Sequence, residues 1–238
     1  MNTALIFAGG TGQRMNTRAK PKQFLELHGK PIIIYTLEHF EKHGEIDNIV
    51  VVCLKSWIHE LKSYLYHYNI KKVSQIIQGG PTGHESIYNG LSALESTCDA
   101  DDIVLIHDGV RPLISAGLIS ENLAKVKEFG SAITAEMATE SVVSSIDGSF
   151  INEVPNRESM YIAKAPQSFR YSMIWELYKR ARVDNVKSID SAHLLSIYGV
   201  KMFMVRSTAN NMKITAPTDY YIFRALFEAM ENQQILGI

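Results

Sequence analysis

The stretch "TALIFAGGTGQRM", residues 3–15, decides how the rest of the chain is read. Ala4-Leu5-Ile6-Phe7 is an apolar run of strand length, and the chain leaves it through Gly9, Gly10 and Gly12. Arg14 follows at once, and "KPKQF" (20–24) adds Lys20 and Lys22. A purely structural turn needs one or two glycines and no local excess of positive charge. A loop that holds a polyphosphate needs both, because glycines let backbone N–H groups approach phosphate oxygens without Cβ interference. Arg14 offers a planar fork of donors and Lys22 a compact point charge. A glycine-rich turn with solvated charges is the plain alternative.

Outward from this loop, short apolar runs alternate with longer amphipathic ones. The runs at 3–8, 48–54, 72–78, 102–108 and 131–137 are rich in β-branched residues and bounded by Gly, Asp or Asn, which predicts strands. Helical patterns lie between them: one starting at Pro31 with Ile33, Leu37 and Phe40 on one face, then 56–68, 84–97, and 115–129 with Ser115 as N-cap. This alternation predicts an α/β chain with a mostly parallel, twisted sheet covered by helices on both faces, in one domain spanning 1–238. After residue 138 the rhythm breaks. "DG" at 147–148 is a hairpin signal, while "PNR" (155–157) and "APQ" (165–167) are expected to interrupt pairing, so 138–168 reads as an irregular β-arm projecting from the sheet. Helices at 171–182 and 190–198, a strand at 200–205 and a terminal helix near Pro217 complete the pattern.

Lys and Arg number 24 against 25 Asp and Glu, a net charge of −1, so no global field points to nucleic acid or an anionic membrane. Any anion site must therefore be built from local charge. No apolar run approaches the roughly 20 residues of a membrane-spanning helix, and the N-terminus lacks the pattern of a signal peptide. Cys53 and Cys98 lie far apart without a metal or redox motif, which suits free thiols in a reducing cytoplasm.

Three nucleotide-binding templates can be tested on the first loop. The GxxxxGK[ST] phosphate loop is absent. A dinucleotide fingerprint begins at Gly10-Thr11-Gly12, but Met15 occupies its third glycine and "VCLKSW" (52–57) offers no ribose-binding carboxylate, which speaks against an NAD-dependent oxidoreductase. The loop GGxGxRM followed by PK, used by sugar-nucleotide-forming nucleotidyltransferases, fits "GGTGQRM…KPKQF" throughout. "HDGVRP" (107–112) closes the fourth strand on the same sheet edge, where the hard carboxylate of Asp108 suits magnesium or a ribose hydroxyl. "NNMKIT" (210–215) supplies Lys213.

With "AGGTGQRM", "PKQFLEL", "GG" before "ESIYNGL", "HDGVRP", "PNR" before "APQSF", and "NNMKITAPTD", the chain resembles the cytidylyltransferases that make CDP-linked polyols, acting on 2-C-methyl-D-erythritol 4-phosphate or ribitol 5-phosphate. The resemblance implies a nucleotide-diphospho-sugar transferase fold, a homodimer joined through the arm, and CTP with Mg²⁺ as the nucleotide and cofactor. It implies catalytic roles for Arg14, Lys22 and Lys213 around the triphosphate. Nucleotide contacts would come from Ala8, Gly9, Gly10, Thr11, Gly12, Gly80, Ser86 and Asp108, with Asp108 also the metal ligand. Acceptor contacts would come from Arg111, Ser141, Arg157 and Asp190, with Arg157 reaching into the neighbouring subunit. Asp190 and Ser86 have rival readings as a helix N-cap and a helix-start residue. His84 has no motif partner. The chain departs from the family pattern at Pro81, Gly83, Glu140-Ser141, Ala165 and Ile189, around the acceptor and base side. "AGGTG" and "PNR" resemble the ribitol branch; the methylerythritol branch of isoprenoid biosynthesis and a nucleotide-binding regulatory subunit are the alternatives.

Overall fold

The computed structural model describes residues 1–10 and 20–236. Its elements are β1 (Asn2–Ala8), β2 (Glu26–Leu27), β3 (Lys30–Pro31), α1 (Ile32–Lys42), β4 (Asn48–Cys53), α2 (Ile58–His67), β5 (Val73–Gln78), α3 (Gly83–Ala93), β6 (Ile103–Asp108), α4 (Ala116–Phe129), β7 (Ser131–Met137), β8 (Tyr161–Arg170), α5 (Tyr171–Val183), α6 (Ser191–Ile197), β9 (Met204–Arg206) and α7 (Pro217–Leu236). Seven strands form one sheet in the order β5-β4-β1-β6-β8-β7-β9, and β2 pairs with β3 in a small separate ladder. β8 is antiparallel to both its neighbours, and every other pairing in the large sheet is parallel.

Side-chain alternation divides the central strands between two cores. Ala4, Ile6, Ile49, Val51, Cys53, Ile103 and Leu105 face one core, where they meet Ile33, Leu37 and Phe40 of α1, Leu61 of α2 and Leu123 of α4. Leu5, Val50, Val52, Val104 and Ile106 face the other, against Leu91 of α3, Ile174 and Tyr178 of α5, and Leu194 of α6. Apolar residues on both faces explain why these strands read as continuous hydrophobic runs. The helix boundaries follow local chemistry. Ser115 caps α4 by accepting from the Leu118 N–H, and Gly130 ends it at φ 81°.

Three expectations change in the structure. β9 covers only 204–206, because β7 offers it pairing partners over Ile133–Ala135 alone. Nor does "APQ" break the strand. β8 runs through Ala165-Pro166-Gln167, with a cis Ala165–Pro166 bond, and its pairing with β7 jumps from Ile133↔Gln167 to Ala135↔Ala163. Pro166 thus sits in a bulge, where no ladder N–H is required of it. In consequence Tyr161–Ser168 belongs to the main sheet rather than to the arm. The exposed segment is the part before it: every residue from 139 to 154 is exposed. Its Asp147-Gly148 turn is real, with Gly148 at φ 74° and the Asp147 carboxylate accepting from the N–H groups of Ser149 and Phe150. The hairpin is held by a single bridge, Ser144 with Glu153.

A third apolar cluster matters for function. Leu27, Ile32, Tyr35, Val110, Ile214 and Phe223 pack together, and the Ile214 N–H donates to Val110 O at 2.9 Å. Burying each large aliphatic side chain contributes roughly 1.5–3 kcal/mol. This cluster therefore anchors the loop after β6 and the segment carrying Lys213 to one another.

Candidate active site

The chain winds outward from β1 through β4 to β5, then returns to place β6 on the other side of β1. At that reversal the C-terminal ends of adjacent parallel strands diverge and leave a crevice, the usual ligand position in open α/β sheets. Phe7 and Asp108 are register partners at the end of β1 and β6, so Gly9 and Gly10 leave the sheet beside Asp108.

A second glycine pair, Gly79-Gly80 after β5, reaches the first across the end of β4, with the Gly79 N–H donating to Cys53 O at 2.9 Å. Ser86 closes the second turn and packs against the first. Its hydroxyl accepts from the Gly80 N–H at 3.0 Å and donates to Gly80 O at 3.3 Å. A Cβ on Gly9 would lie 3.3 Å from Ser86 Oγ, and one on Gly80 only 2.6 Å from Glu85 Cβ. Glycine is needed here because backbone passes against backbone and side chain. Thr82, not Ser86, is the N-cap of α3, accepting from the Glu85 N–H. Ser86 is 1% exposed, so it acts on the crevice through the shape of the Gly80 turn. Gln23, in a short helical turn with Lys22, donates from Nε2 to Ala8 O at 2.7 Å and to Gly10 O at 3.2 Å. The "KPKQF" segment is thereby fastened to the exit of β1.

Asp108 is the electrostatic centre. Arg111 Nε donates to its Oδ2 at 2.8 Å, and Lys213 Nζ pairs with Oδ1 at 2.6 Å. Burial pushes the Asp108 carboxyl upward, but Lys213 and Arg111 outweigh it and hold the group well below the usual carboxylate range. Arg111 is itself buried, and its Nη1 donates to Asn211 O at 2.8 Å. Next to Asp108, burial pushes His107 down to about 3, so the imidazole is neutral.

A cavity of about 310 Å³ opens over this group, lined by Phe7, Gly83, Asp108, Arg111, Lys164, Ala165, Gln167, Ile189, Asp190 and Lys213 among others. Asp190 resolves the choice between cap and pocket residue by being both. Its Oδ1 accepts from the His193 N–H at 2.8 Å as the α6 N-cap, and its Oδ2 accepts from Gln167 Nε2 at 3.1 Å. Four of the expected residues, Asp108, Arg111, Asp190 and Lys213, therefore share one cavity. Burial pushes the Asp219 carboxyl up, but hydrogen bonds from the Thr215 hydroxyl and from the Ala216 and Thr215 N–H groups just beyond Lys213 lower it overall, with the Lys22 charge adding a smaller share. Thr11, Gly12 and Arg14 lie outside the described residues. Ser141 and Arg157 do not line the cavity of their own chain; both are exposed in the segment before β8, with Arg157 Nη1 donating to Thr139 O at 3.5 Å. His84 Nδ1 is hydrogen-bonded to Ser188 Oγ at 2.9 Å, and its ring lies 4.8 Å from that of Tyr178. Gln23, Gln167 and Asn211 escaped the sequence reading, because an uncharged amide carries no signal until its partners are known.

Among the described residues, no group of three or more His, Cys, Asp or Glu side chains could hold a metal ion, so Asp108 stands as a single carboxylate. No helix among them is long and apolar enough to cross a membrane. Both cysteines are free, and Cys53 is buried.

The family model described as IspD, 2-C-methyl-D-erythritol 4-phosphate cytidylyltransferase, matches residues 2–229. The chain belongs to this cytidylyltransferase family. It is a nucleotidyltransferase, and the oxidoreductase reading falls away. The cytidylyltransferase is 46% identical over 239 residues, the whole of both chains, to a ribitol-5-phosphate cytidylyltransferase of Streptococcus agalactiae serotype Ia. It is 34% identical over 229 residues to a 2-C-methyl-D-erythritol 4-phosphate cytidylyltransferase of Clostridium botulinum, covering 96% of this chain and 98% of that one. Its fold matches that of 4-diphosphocytidyl-2C-methyl-D-erythritol synthase from Anaerococcus prevotii with a TM-score of 0.82 at 26% identity, over 95% of this chain and 96% of the other. The single α/β domain with its mostly parallel sheet is thus the architecture of this family.

Proposed function

We propose that this cytidylyltransferase transfers CMP from CTP to D-ribitol 5-phosphate, giving CDP-ribitol and pyrophosphate. The observation that carries the reaction is the Asp108–Arg111–Lys213 group facing a cavity beside two glycine turns. The acceptor rests on the higher identity to the ribitol-named relative, 46% against 34%.

The acceptor's phosphate monoester, with a second pKa of about 6, is largely dianionic at neutral pH and needs no general base. An oxygen of that monoester attacks the α-phosphorus of CTP, a new P–O bond forms, and the bond to the β-phosphate bridging oxygen breaks. The electron pair leaves with pyrophosphate. The protein's work is to position two anions that repel each other and to stabilise charge on the α-phosphate and leaving group. We assign Lys213, Lys22 and Arg14 to the triphosphate, the turns at Ala8–Gly12 and Gly80 with Ser86 to the nucleotide, and Asp190 with Arg111 to the acceptor side. Arg157 and Ser141 of the partner subunit would complete the acceptor site across a homodimer. That assembly is supported by the exposure of Ile146, Phe150, Ile151 and Val154 on the segment before β8. A single carboxylate suits Mg²⁺, which binds through one or two carboxylates together with substrate phosphates. Asp108 would hold it, and the ion would supply neutralisation of phosphate charge. The free thiols support a cytoplasmic setting.

Radiolabelled CTP with Mg²⁺ and a panel of polyol and sugar phosphates, followed through pyrophosphate release, tests the reading. Ribitol 5-phosphate is expected to give the highest kcat/KM. Preference for 2-C-methyl-D-erythritol 4-phosphate would overturn the acceptor, and nucleotide binding without turnover across the panel would overturn the reaction.

A further inference from the structure

Asn211 is 3% exposed and makes a set of contacts out of proportion to a loop residue. Its side-chain Nδ2 donates to Ala165 O, in the bulge of β8, at 2.7 Å and to Ser207 Oγ at 3.3 Å. Its backbone carbonyl accepts from Arg111 Nη1 at 2.8 Å, and its own N–H donates to Thr208 O at 3.2 Å. Its Oδ1 is buried with no hydrogen-bond partner among the described residues. Its Nδ2 satisfies Ala165 O, which an apolar side chain of similar size would leave unpaired, while its own Oδ1 gains no bond among the described residues to offset its burial. What the amide supplies is a pair of donors that tie the loop carrying Lys213 to the β8 bulge, while the Asn211 backbone carbonyl receives Arg111 of the loop after β6. A second strut runs beside it. Lys164 Nζ pairs with Glu136 and reaches Thr208 O at 3.4 Å. Between these struts and the Ile214–Val110 backbone bond, the chain at 207–214 is held from both sides.

We propose that Asn211 is the positioning residue of the reaction: it holds the Lys213 loop and Arg111 in one rigid frame, so that the Lys213 ammonium meets the phosphates at a fixed place. This rests on the reading of Lys213 as a phosphate-binding cation. Asn211 itself touches no reacting atom. Its backbone carbonyl receives the Arg111 guanidinium that grips Asp108, and Lys213 follows two residues later in the same loop, so loosening the loop shifts both groups. A displacement near 1 Å can cost on the order of 10²-fold in rate, because catalysis by positioned charge depends on where the charge sits.

The test is a double-substitution cycle on the full-length enzyme with CTP, Mg²⁺ and the preferred acceptor, with melting temperature measured on each variant. Asn211→Ala is expected to remain folded and to lower kcat about 10- to 100-fold. Lys213→Met is expected to lower kcat on its own. The double variant should lose clearly less than the product of the two single losses, since a misplaced lysine has little left to remove. A purely structural residue would lower the melting temperature and leave the kcat of the folded fraction unchanged, and that result overturns the proposal. Losses that multiply independently also overturn it, because Asn211 would then not act through Lys213. Should Asn211→Ala fail to fold, Asn211→Ser, which keeps one donor at shorter reach, enters the same cycle under the same criteria. The underlying reading fails differently: Lys213→Met would then turn over at the wild-type rate.

Discussion

Lys213 Nζ stands 2.6 Å from Asp108 Oδ1, although the two residues lie 105 positions apart in the chain. The cation is thus held at the end of β6 before any phosphate arrives, and the carboxylate that holds it is itself pinned from the other side by Arg111. Charge placed in advance costs no reorganisation during the reaction, which is why such groups stabilise transition states effectively.

Removing that charge should be felt in kcat more than in stability. The Lys213 side chain is 38% exposed, so its contribution to folding is discounted by solvent screening. Lys213→Met is expected to lower turnover on the order of 10²–10³-fold with a small change in melting temperature. Steady-state kinetics beside a thermal melt check both halves.

His107 gives the fold a pH dependence of known sign. Burial lowers its pKa in the folded state to about 3, so the unfolded chain binds the extra proton between there and its ordinary value. Stability from this group is therefore complete above about pH 6.5 and falls as the pH drops through the window down to about 3, with a limiting slope of about 1.4 kcal/mol per pH unit. His107→Gln should flatten the fall in melting temperature between pH 7 and pH 4.5. His39, also lowered mainly by burial, leaves a residual slope of the same sign. An unchanged slope in the variant would remove His107 from the account.

Gly80, in the turn before α3, and Gly83, its first residue, should respond oppositely to a methyl group. On Gly80 a Cβ would lie 2.6 Å from Glu85 Cβ and 3.2 Å from the Glu85 carbonyl carbon. Gly80→Ala should therefore cost about 1–3 kcal/mol and raise the KM for CTP. On Gly83 the only neighbour among the described residues is Phe7 Cζ at 3.9 Å, and the residue is the first of a helix. Gly83→Ala should be neutral or stabilising by about 0.4–1 kcal/mol. Paired denaturant titrations distinguish the two.

Gln23 offers a test of how the phosphate loop is fastened. Its amide bonds to Ala8 O and Gly10 O are the described link between the "KPKQF" segment and the exit of β1. Gln23→Leu keeps the volume and removes the donor, so about 1–3 kcal/mol should be lost through carbonyls left unpaired. The KM for CTP should rise while the KM for the acceptor stays near its wild-type value.

The proposed sharing of the site between two subunits makes a quantitative demand. Lys213→Met and Arg157→Ala homodimers should each be poorly active. After mixing and subunit exchange, half of the dimers formed at random are mixed, and one site in each mixed dimer has both residues intact. Roughly a quarter of wild-type activity should return. No recovery after verified exchange would place Arg157 outside the site.

Much of this molecule is readable from local pattern. Buried parallel strands require apolar residues on both faces, so the runs ending in Ala8, Cys53, Asp108 and Met137 announce themselves, as do Ser115 and Gly130 at the ends of α4. The glycine loop with its neighbouring cations suggests anion chemistry through residue type, whereas "HDGVRP" and "NNMKIT" take their expected roles from the family resemblance. Which distant segments meet is another matter, since periodicity reports a residue's environment and says nothing of its neighbour's identity. The reversed strand β8 inserts between β6 and β7 and absorbs Pro166 in a bulge, against the expectation drawn from "APQ". The hydroxyl of Ser86 closes on Gly80, and the amides of Gln23 and Asn211 tie the loops into one frame. Such bonds join groups that are uncharged and far apart in the chain, so they acquire meaning only when packing of the two cores brings them within 3 Å or so of each other.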